Sequence, residues 1–182
     1  MNFTRGGFIG SLKQPKTIPP TSTYRTLPTG LSDRDGLRLA YQQPDHVYIQ
    51  ENKMYIAGSK TATDWVHNVA FIPTQQTQYH NIYKSAFDQL KKNPQVNELI
   101  GHSAGGAVLL ELQKQYPNRF DKTRSYSAPV FNPLGSGQLN ENHLRFRTIG
   151  DPVAMLDNGA ITMNKNILNP FITHSFTNYG EI

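Results

Sequence analysis

The sequence contains no cysteine. This absence excludes disulfide bonds, thiol nucleophiles and thiolate ligands for a metal ion. The histidines do not follow the H-x-x-x-H or H-E-x-x-H spacing that puts two zinc ligands on one face of a helix. We therefore expect neither a metal ion nor a cofactor, so any catalysis would use hydroxyl, carboxyl and imidazole groups.

Long apolar runs are also missing. Hydrophobic residues make up 37% of the chain, and no stretch approaches the roughly 20 apolar residues of a membrane-spanning helix. Residues 1–7 lack the apolar segment of a secretory signal. We therefore expect a protein that acts inside the cell or is delivered by a non-classical route. Its 182 residues suffice for one domain with its own core.

Acidic residues are missing from the N-terminal segment. Residues 1–32 hold four basic residues and no acid. The whole chain has a net charge of +5, so the rest of the chain is nearly neutral. The basic residues are Arg5, Lys13, Lys16 and Arg25. Such a segment favours an anionic partner, although scattered charges also keep a flexible segment solvated, which is the interpretation we favour. An anionic membrane surface stays open as a partner, nucleic acid is not expected, and nothing indicates an oligomeric state.

The distribution of proline divides the chain into two parts. Four prolines fall within residues 15–28, and we expect them to exclude a regular helix or a central strand from residues 1–40. We predict an extended arm, rich in proline and threonine, over residues 1–40 and one globular domain over residues 41–182. Strand and helix patterns alternate in that domain, which is typical of an α/β fold with a mostly parallel sheet flanked by helices.

Residue patterns also predict the elements of that domain. Alternation of apolar and polar residues predicts strands, and apolar residues at helical spacing predict helices. A short polar turn joins the first two strands into a hairpin. The predicted strands cover residues 46–50, 53–57, 96–100, 123–128 and 143–149, and the predicted helices cover residues 63–71, 79–92 and 104–116.

The most informative stretch is Gly101-His102-Ser103-Ala104-Gly105, which matches the pattern G-x-S-x-G. It stands between a predicted strand and a predicted helix, as in the nucleophile elbow of serine hydrolases. Glycine at both ends of the pattern lets the strand and the helix cross closely, and the helix N-terminus offers free N–H groups to an oxyanion. Ser103 is therefore the candidate nucleophile. The alternative is an ordinary glycine-rich turn with a solvated serine.

A serine nucleophile needs a histidine base and an acid that orients the histidine. In α/β-hydrolases the acid and then the histidine follow the serine along the chain. His174 is the only histidine after residue 150, and Asp151 directly follows the predicted strand 143–149. Asp157, further along the same loop, is the competing acid. Asp151 and His174 also have ordinary interpretations, as a turn residue and a surface histidine. We interpret the other histidines as surface or packing residues.

Several linked motifs resemble those of the class 3 lipase family, the fungal-type triacylglycerol lipases, from about residue 46 to the C-terminus. Residues 101–106 resemble the family's G-H-S-L-G-G, with Ala104 in place of leucine. Ala57-Gly58-Ser59 resembles its R-G-[ST], with alanine in place of arginine. Residues 150–153 resemble its acid motif D-x-V-P, with proline and valine in unusual order. The other matching segments are residues 64–65, 69–73, 80 and 174–179.

This resemblance implies an α/β-hydrolase fold and the hydrolysis of carboxylic esters in acylglycerols or phospholipids. Ser103 would be the nucleophile, His174 the base and Asp151 the acid. Ser59 and the N–H group of Ala104 would form the oxyanion hole, with a plain turn residue as the alternative for Ser59. The resemblance implies no metal ion and no cofactor, and its substrate would be a lipid or another ester.

The resemblance also implies a lid over residues 60–71. Trp65, Val66 and Val69 would face the site in a closed state and lipid in an open state. The alternative is a helix docked permanently in the core. Other functions stay open as well: a short-chain esterase or thioesterase, a non-catalytic hydrolase-fold module that binds lipid or a partner protein, and a vestigial enzyme whose arm binds nucleic acid.

Overall fold

The structure, a computed structural model, describes residues 30–59, 76–130, 140–163 and 175. Nine helices and strands lie within these ranges. The strands are β1 (Val47–Gln50), β2 (Lys53–Ile56), β3 (Glu98–His102), β4 (Lys122–Tyr126), β5 (His143–Thr148) and β6 (Ile161–Met163). The helices are α1 (Asp33–Gln42), α2 (Gln76–Lys92) and α3 (Ala104–Gln115). None of the helices in these ranges has the length and apolar character needed to cross a membrane.

The described strands form one six-stranded sheet in the order β1-β2-β3-β4-β5-β6. β1 and β2 pair antiparallel as a hairpin, and all other neighbours pair parallel. Helices connect β2 to β3 and β3 to β4, as parallel pairing requires. The predicted α/β class, with a mostly parallel sheet flanked by helices, is confirmed.

Each face of the sheet carries its own core. Both connecting helices, α2 and α3, cover one face, as right-handed connections that advance across a sheet in one direction require. On β2, Met54 and Ile56 face that core, while Tyr55 between them faces the other. This alternation follows from the pleat of the strand. The second core contains Leu37 and Ala40 of α1, so α1 covers the opposite face.

Helix α1 corrects the expectation that residues 1–40 contain no regular helix. The hydroxyl of Ser32 caps the helix by accepting a hydrogen bond from the N–H of Asp35 at 3.2 Å. Acidic residues in the first turn also suit the positive end of the helix dipole. The four prolines on which that expectation was based all precede residue 30, so they do not interrupt the helix. Residues 1–29 lie outside the described residues, so the division into arm and domain stays a prediction.

A buried polar cluster fastens α1 to the sheet. Arg124 on β4 donates to both carboxylate oxygens of Asp33, at 2.5 and 2.9 Å, and the hydroxyl of Tyr126 donates to Asp33 at 2.7 Å. The hydrogen bond with Asp33 raises the pKa of Arg124 further above its usual range, against the opposing effect of burial. Burial, followed by the charge of Asp33, raises the pKa of Tyr126. The start of α1 is thus held by a bidentate ion pair.

Most element bounds differ from the sequence prediction by one to three residues, and α2, for example, begins at Gln76 rather than residue 79. β3 begins at Glu98 rather than residue 96, because Val96 still belongs to a turn in which its N–H donates to the carbonyl of Asn93 at 3.1 Å. β6 was not predicted. It has three residues and pairs only with β5 in the described sheet, and so short a strand leaves little pattern in the sequence.

Candidate active site

Ser103 stands at the junction of β3 and α3. Its backbone has φ of 55° and ψ of −128°, a conformation that residues with a Cβ rarely adopt. It is the N-cap residue of α3, yet its side chain makes no capping hydrogen bond, although serine usually does so at this position. Its N–H donates to the carbonyl of Tyr126 at 2.9 Å, and its carbonyl accepts from Gly106 at 2.9 Å. The turn is therefore fixed from the neighbouring strand and from the helix.

Two glycines let α3 pack closely against β3 and β2 at this turn. A Cβ on Gly101 would lie 2.6 Å from the carbonyl oxygen of Gly105, and a Cβ on Gly105 would lie 2.2 Å from the carbonyl oxygen of Ile56. Both distances are far below the separation of atoms in van der Waals contact. Neither position accepts a side chain without movement of the backbone. This packing explains the glycine spacing, and the predicted order of strand, turn and helix is confirmed.

The segment after β2 lies against Ser103. A Cβ on Gly58 would stand 2.7 Å from the Cβ of Ser103 and 3.1 Å from the nitrogen of Ala104, so the Gly58 backbone passes close to the start of α3. Ser59, the next residue, is partly exposed. The two residues expected to form an oxyanion hole, Ser59 and Ala104, therefore lie on the two segments that meet at this serine.

Tyr41 and His46 hold the backbone of Gly58. The Tyr41 hydroxyl and Nδ1 of His102 share a hydrogen bond of 2.6 Å. Burial of its phenol raises the pKa of Tyr41, and a hydrogen bond with the Gly58 backbone opposes this rise. Nδ1 of His46 donates to the carbonyl oxygen of Gly58 at 2.8 Å, since a carbonyl can only accept. The segment beside Ser103 is thus tied both to α1 and to the start of the hairpin.

Asp151 is buried in the turn that follows β5. It closes a β-turn in which its N–H donates to the carbonyl of Thr148 at 3.2 Å and Gly150 has a φ of 81°, a value that favours glycine. The residue is 1% exposed. Its Oδ1 accepts from the N–H of Val153 at 2.9 Å, and its Oδ2 accepts from the hydroxyl of Ser127. The carboxylate is therefore held by a donor on its own loop and a donor on the neighbouring strand connection.

Ser103, Ser127 and Asp151 follow the carboxyl ends of three adjacent parallel strands. Because β3, β4 and β5 run in the same direction, these ends lie at one edge of the sheet, which is where ligands bind in open α/β sheets. The N–H of Ser103 bonds to Tyr126, the residue before Ser127, and the Ser127 hydroxyl bonds to Asp151. A continuous series of contacts thus joins the serine of the turn to the buried carboxylate.

Asp157, the competing acid, is paired with an arginine. Nε of Arg145 donates to its Oδ2 at 2.8 Å, and Nη2 of the same guanidinium donates to its Oδ1 at 3.3 Å. Asp157 also accepts from the N–H of Gly159 at 3.2 Å. This arrangement fastens the loop to β5, and the choice of Asp151 as the acid stays a prediction.

Four of the predicted site residues lie outside the described residues. They are Trp65, Val66 and Val69, which belong to the predicted lid over residues 60–71, and His174, the predicted base. In the chain, His174 comes after β6, the strand next to β5. The lid and the base therefore stay predictions.

Three residues with contacts at this edge were not predicted to belong to the site: Tyr41, His46 and Ser127. Ser127 lies one residue before the end of the predicted strand 123–128, and the rule that parallel strands end at one edge would have drawn attention to it. His46 precedes the first strand of the hairpin, and its carbonyl accepts from the N–H of Ala57 at 2.9 Å, so extending the hairpin register would have put it opposite the Gly58 segment. No sequence signal points to Tyr41.

The fold and the residues at its carboxyl edge define a class of protein. It is an α/β protein with a mostly parallel sheet, whose carboxyl edge carries a serine in a strained strand-to-helix turn and a buried aspartate two strands away. Within the described ranges no group of three or more histidine, aspartate or glutamate side chains could hold a metal ion. A serine in such a turn, at the N-terminus of a helix, has the backbone geometry of a nucleophile elbow.

No protein-family model and no curated protein matches this chain. Among solved structures, it is similar to the Lip2 lipase from Yarrowia lipolytica, with a TM-score of 0.39 and 13% sequence identity. The similarity covers 59% of this chain and 52% of the lipase, so it spans about half of the length of that protein. A similarity of this size assigns neither a fold family nor an activity.

Proposed function

We propose that this protein is a serine hydrolase that cleaves carboxylic esters of lipids through an acyl-enzyme on Ser103. One observation carries the proposal: Ser103 has φ of 55° and ψ of −128° between a parallel strand and a helix, and its hydroxyl does not cap that helix. Strain of this kind needs support from the surrounding structure and clusters at active sites. The close packing of Gly101 and Gly105 supplies that support.

In the proposed reaction, the hydroxyl of Ser103 attacks the ester carbonyl while His174 takes its proton. The N–H groups of Ser59 and Ala104 stabilise the resulting oxyanion, and each such donor is worth roughly 10²–10³ in rate. Collapse of the tetrahedral intermediate breaks the bond to the alcohol, which leaves with the proton from His174. Water then attacks the acyl-enzyme in the same way, and the acid is released. Asp151 orients His174 throughout.

Exposed apolar residues close to Asp151 in the chain support a lipid substrate. Among the described residues, the large apolar side chains that are exposed all lie in the segment that contains Asp151 and its neighbours. They are Ile149 (49% exposed), Met155 (60%), Leu156 (38%) and Ile161 (41%). Exposed apolar side chains that form a contiguous patch mark contact surfaces for apolar partners, and we propose that these four contribute to such a patch. The motif resemblance to class 3 lipases points in the same direction.

The first test is the Ser103→Ala variant, compared with wild type for ester hydrolysis and for covalent labelling by a fluorophosphonate. We expect turnover to fall by about 10³-fold or more, since the nucleophile is lost, and labelling to disappear while the circular dichroism spectrum is unchanged. Ser125→Ala is the matched control, because Ser125 is also buried and its hydroxyl has no hydrogen-bond partner among the described residues. Full turnover by Ser103→Ala would refute the proposal.

A second arm of the same experiment identifies the substrate class. Wild-type kcat/KM is measured on esters of one alcohol with acyl chains of increasing length, as monomers and as aggregates. A lipid hydrolase prefers the long chains, whereas a short-chain esterase or thioesterase loses activity on them. A rate increase at an aggregated substrate would support a mobile lid over residues 60–71. Absence of any labelling in the wild type would instead indicate a non-catalytic binding module.

A further inference from the structure

Ser127, which follows β4, has a strained backbone. Its φ is 49°, in the left-handed region that L-residues other than glycine rarely adopt. The residue is 0% exposed, and its N–H donates to the carbonyl of Phe146 at 2.9 Å. Glycine would adopt the same backbone without strain and keep this N–H. The backbone alone therefore does not explain why serine stands here.

The hydrogen bond of the Ser127 side chain offers a reason for serine at this position. Its hydroxyl donates to Oδ2 of Asp151, while the N–H of Val153 donates to Oδ1 of the same carboxylate at 2.9 Å. The two donors engage different oxygens, so rotation of the carboxylate about its Cβ–Cγ bond would break both hydrogen bonds. One donor belongs to the Asp151 loop itself, and the other comes from the end of the neighbouring strand β4.

We propose that Ser127 is a positioning residue that fixes the rotation of the Asp151 carboxylate at the carboxyl edge of the sheet. This inference rests on the proposed function, in which Asp151 orients the histidine base. An orienting acid works in a defined rotation, because the tautomer and ring direction of the histidine follow from their hydrogen bond. Ser127 acts through Asp151 and not on the ester. The strain at Ser127 is then the consequence of placing a hydroxyl where glycine would fit more easily.

Two substitutions distinguish the effect of the Ser127 hydroxyl from the effect of its strained backbone. Ser127→Ala removes the hydroxyl and keeps the strained conformation, whereas Ser127→Gly removes the hydroxyl and relieves the strain. A purely structural role predicts that the glycine variant matches the wild type. A positioning role predicts that both variants lose about 10-fold to 100-fold in kcat, with KM unchanged, since a hydrogen bond to a charged group is lost. Where Ser127→Ala fails to fold, the glycine variant carries the test.

A double variant that combines Ser127→Gly with Asp151→Asn distinguishes a positioning role from a purely structural one. In the Asp151→Asn background the carboxylate is already lost, so Ser127→Gly should change kcat by no more than about twofold. Residues that act as a unit behave in this non-additive way. Independent losses that multiply in the double variant would overturn the positioning role.

Failure of this inference and failure of the proposed function give different results. Wild-type protein that turns over no ester and shows no labelling of Ser103 overturns the proposed function, and the positioning role with it. An active wild type whose Ser127→Gly variant keeps its full kcat overturns the positioning role alone. Ser125→Ala again serves as the control, and we expect its kcat to equal that of the wild type, because its hydroxyl has no hydrogen-bond partner among the described residues.

Discussion

Asp151 and Asp157 lie in the same loop, yet the donors that hold them differ in charge. Asp151 accepts from a serine hydroxyl and a backbone N–H, whereas Asp157 accepts from the guanidinium of Arg145. Neutral donors orient a carboxylate without cancelling its charge, while a bidentate guanidinium neutralises it. An acid that stabilises an imidazolium must keep its charge for that purpose. In the proposed reaction, the donors therefore suit Asp151 to orienting the histidine and Asp157 to holding the loop.

Replacing each aspartate by asparagine tests this division. Asp151→Asn should lower kcat by about 10³- to 10⁴-fold, because the histidine loses its orienting charge. Asp157→Asn should lower the free energy of unfolding by about 3 kcal/mol, because Arg145 is left without its buried partner, and should change kcat little. Ester turnover and urea unfolding are measured for both variants. The opposite pattern would identify Asp157 as the acid.

The crossing of β2, β3 and α3 depends on glycines that differ in the space around them. A Cβ on Gly105 would stand 2.2 Å from the carbonyl oxygen of Ile56, whereas a Cβ on Gly106 would meet the Cβ of Ala128 at 3.0 Å. The first contact is with backbone that is paired in the sheet, and the second is with a methyl group that needs to move only slightly. Two neighbouring residues of one helix thus provide a matched pair of substitutions.

Gly105→Ala should destabilise the protein by at least about 3 kcal/mol, since the helix and β2 must separate. Gly106→Ala should change the free energy of unfolding by less than about 1.5 kcal/mol, because the higher helix propensity of alanine offsets part of the crowding. Both values come from urea unfolding followed by circular dichroism. Equal destabilisation of the two variants would mean that the close crossing at Gly105 is not a constraint.

Elements with a local pattern could be predicted from the sequence, and elements held by distant contacts could not. The hairpin and α3 follow from runs of residues that carry their own periodicity and turn signals. Helix α1 has a glycine in its centre, and only part of it reaches the core. Its first residue is instead fastened by Arg124, 91 positions away in the chain. No window of neighbouring residues contains that information.

The candidate site shows the same limit. Ser103 belongs to a motif of five consecutive residues, and Asp151 directly follows a predicted strand, so both could be found in the sequence. Tyr41 contacts His102 across 61 positions, and Ser127 contacts Asp151 across 24. Their roles depend on which strands become neighbours in the sheet, which the order of residues alone does not specify.

The molecule as a whole should lose stability in alkaline solution. Tyr55 and Tyr126 are 0% and 1% exposed, and burial is the main cause that raises the pKa of each phenol above its usual value, with the charge of Asp33 next. Above about pH 10 the unfolded chain releases these protons while the folded chain retains them. The free energy of unfolding therefore falls as the pH rises, by up to about 1.4 kcal/mol per pH unit for each tyrosine. Below that pH the two phenols contribute no pH dependence.

Phenylalanine substitutions at these two tyrosines should act in opposite directions at neutral pH. The Tyr55 hydroxyl has no hydrogen-bond partner among the described residues, so Tyr55→Phe removes a buried, unsatisfied group and should raise the free energy of unfolding by about 1 kcal/mol. The Tyr126 hydroxyl donates to Asp33 at 2.7 Å, so Tyr126→Phe should lower it by about 2 kcal/mol. Each variant should also show a shallower loss of stability between pH 10 and 11 than the wild type, since one retained proton is gone. Urea unfolding at pH 7.5, 10 and 11 measures both effects. Destabilisation by both substitutions at pH 7.5, with the alkaline slope unchanged, would show that neither the unsatisfied hydroxyl of Tyr55 nor the retained protons govern the stability of the fold.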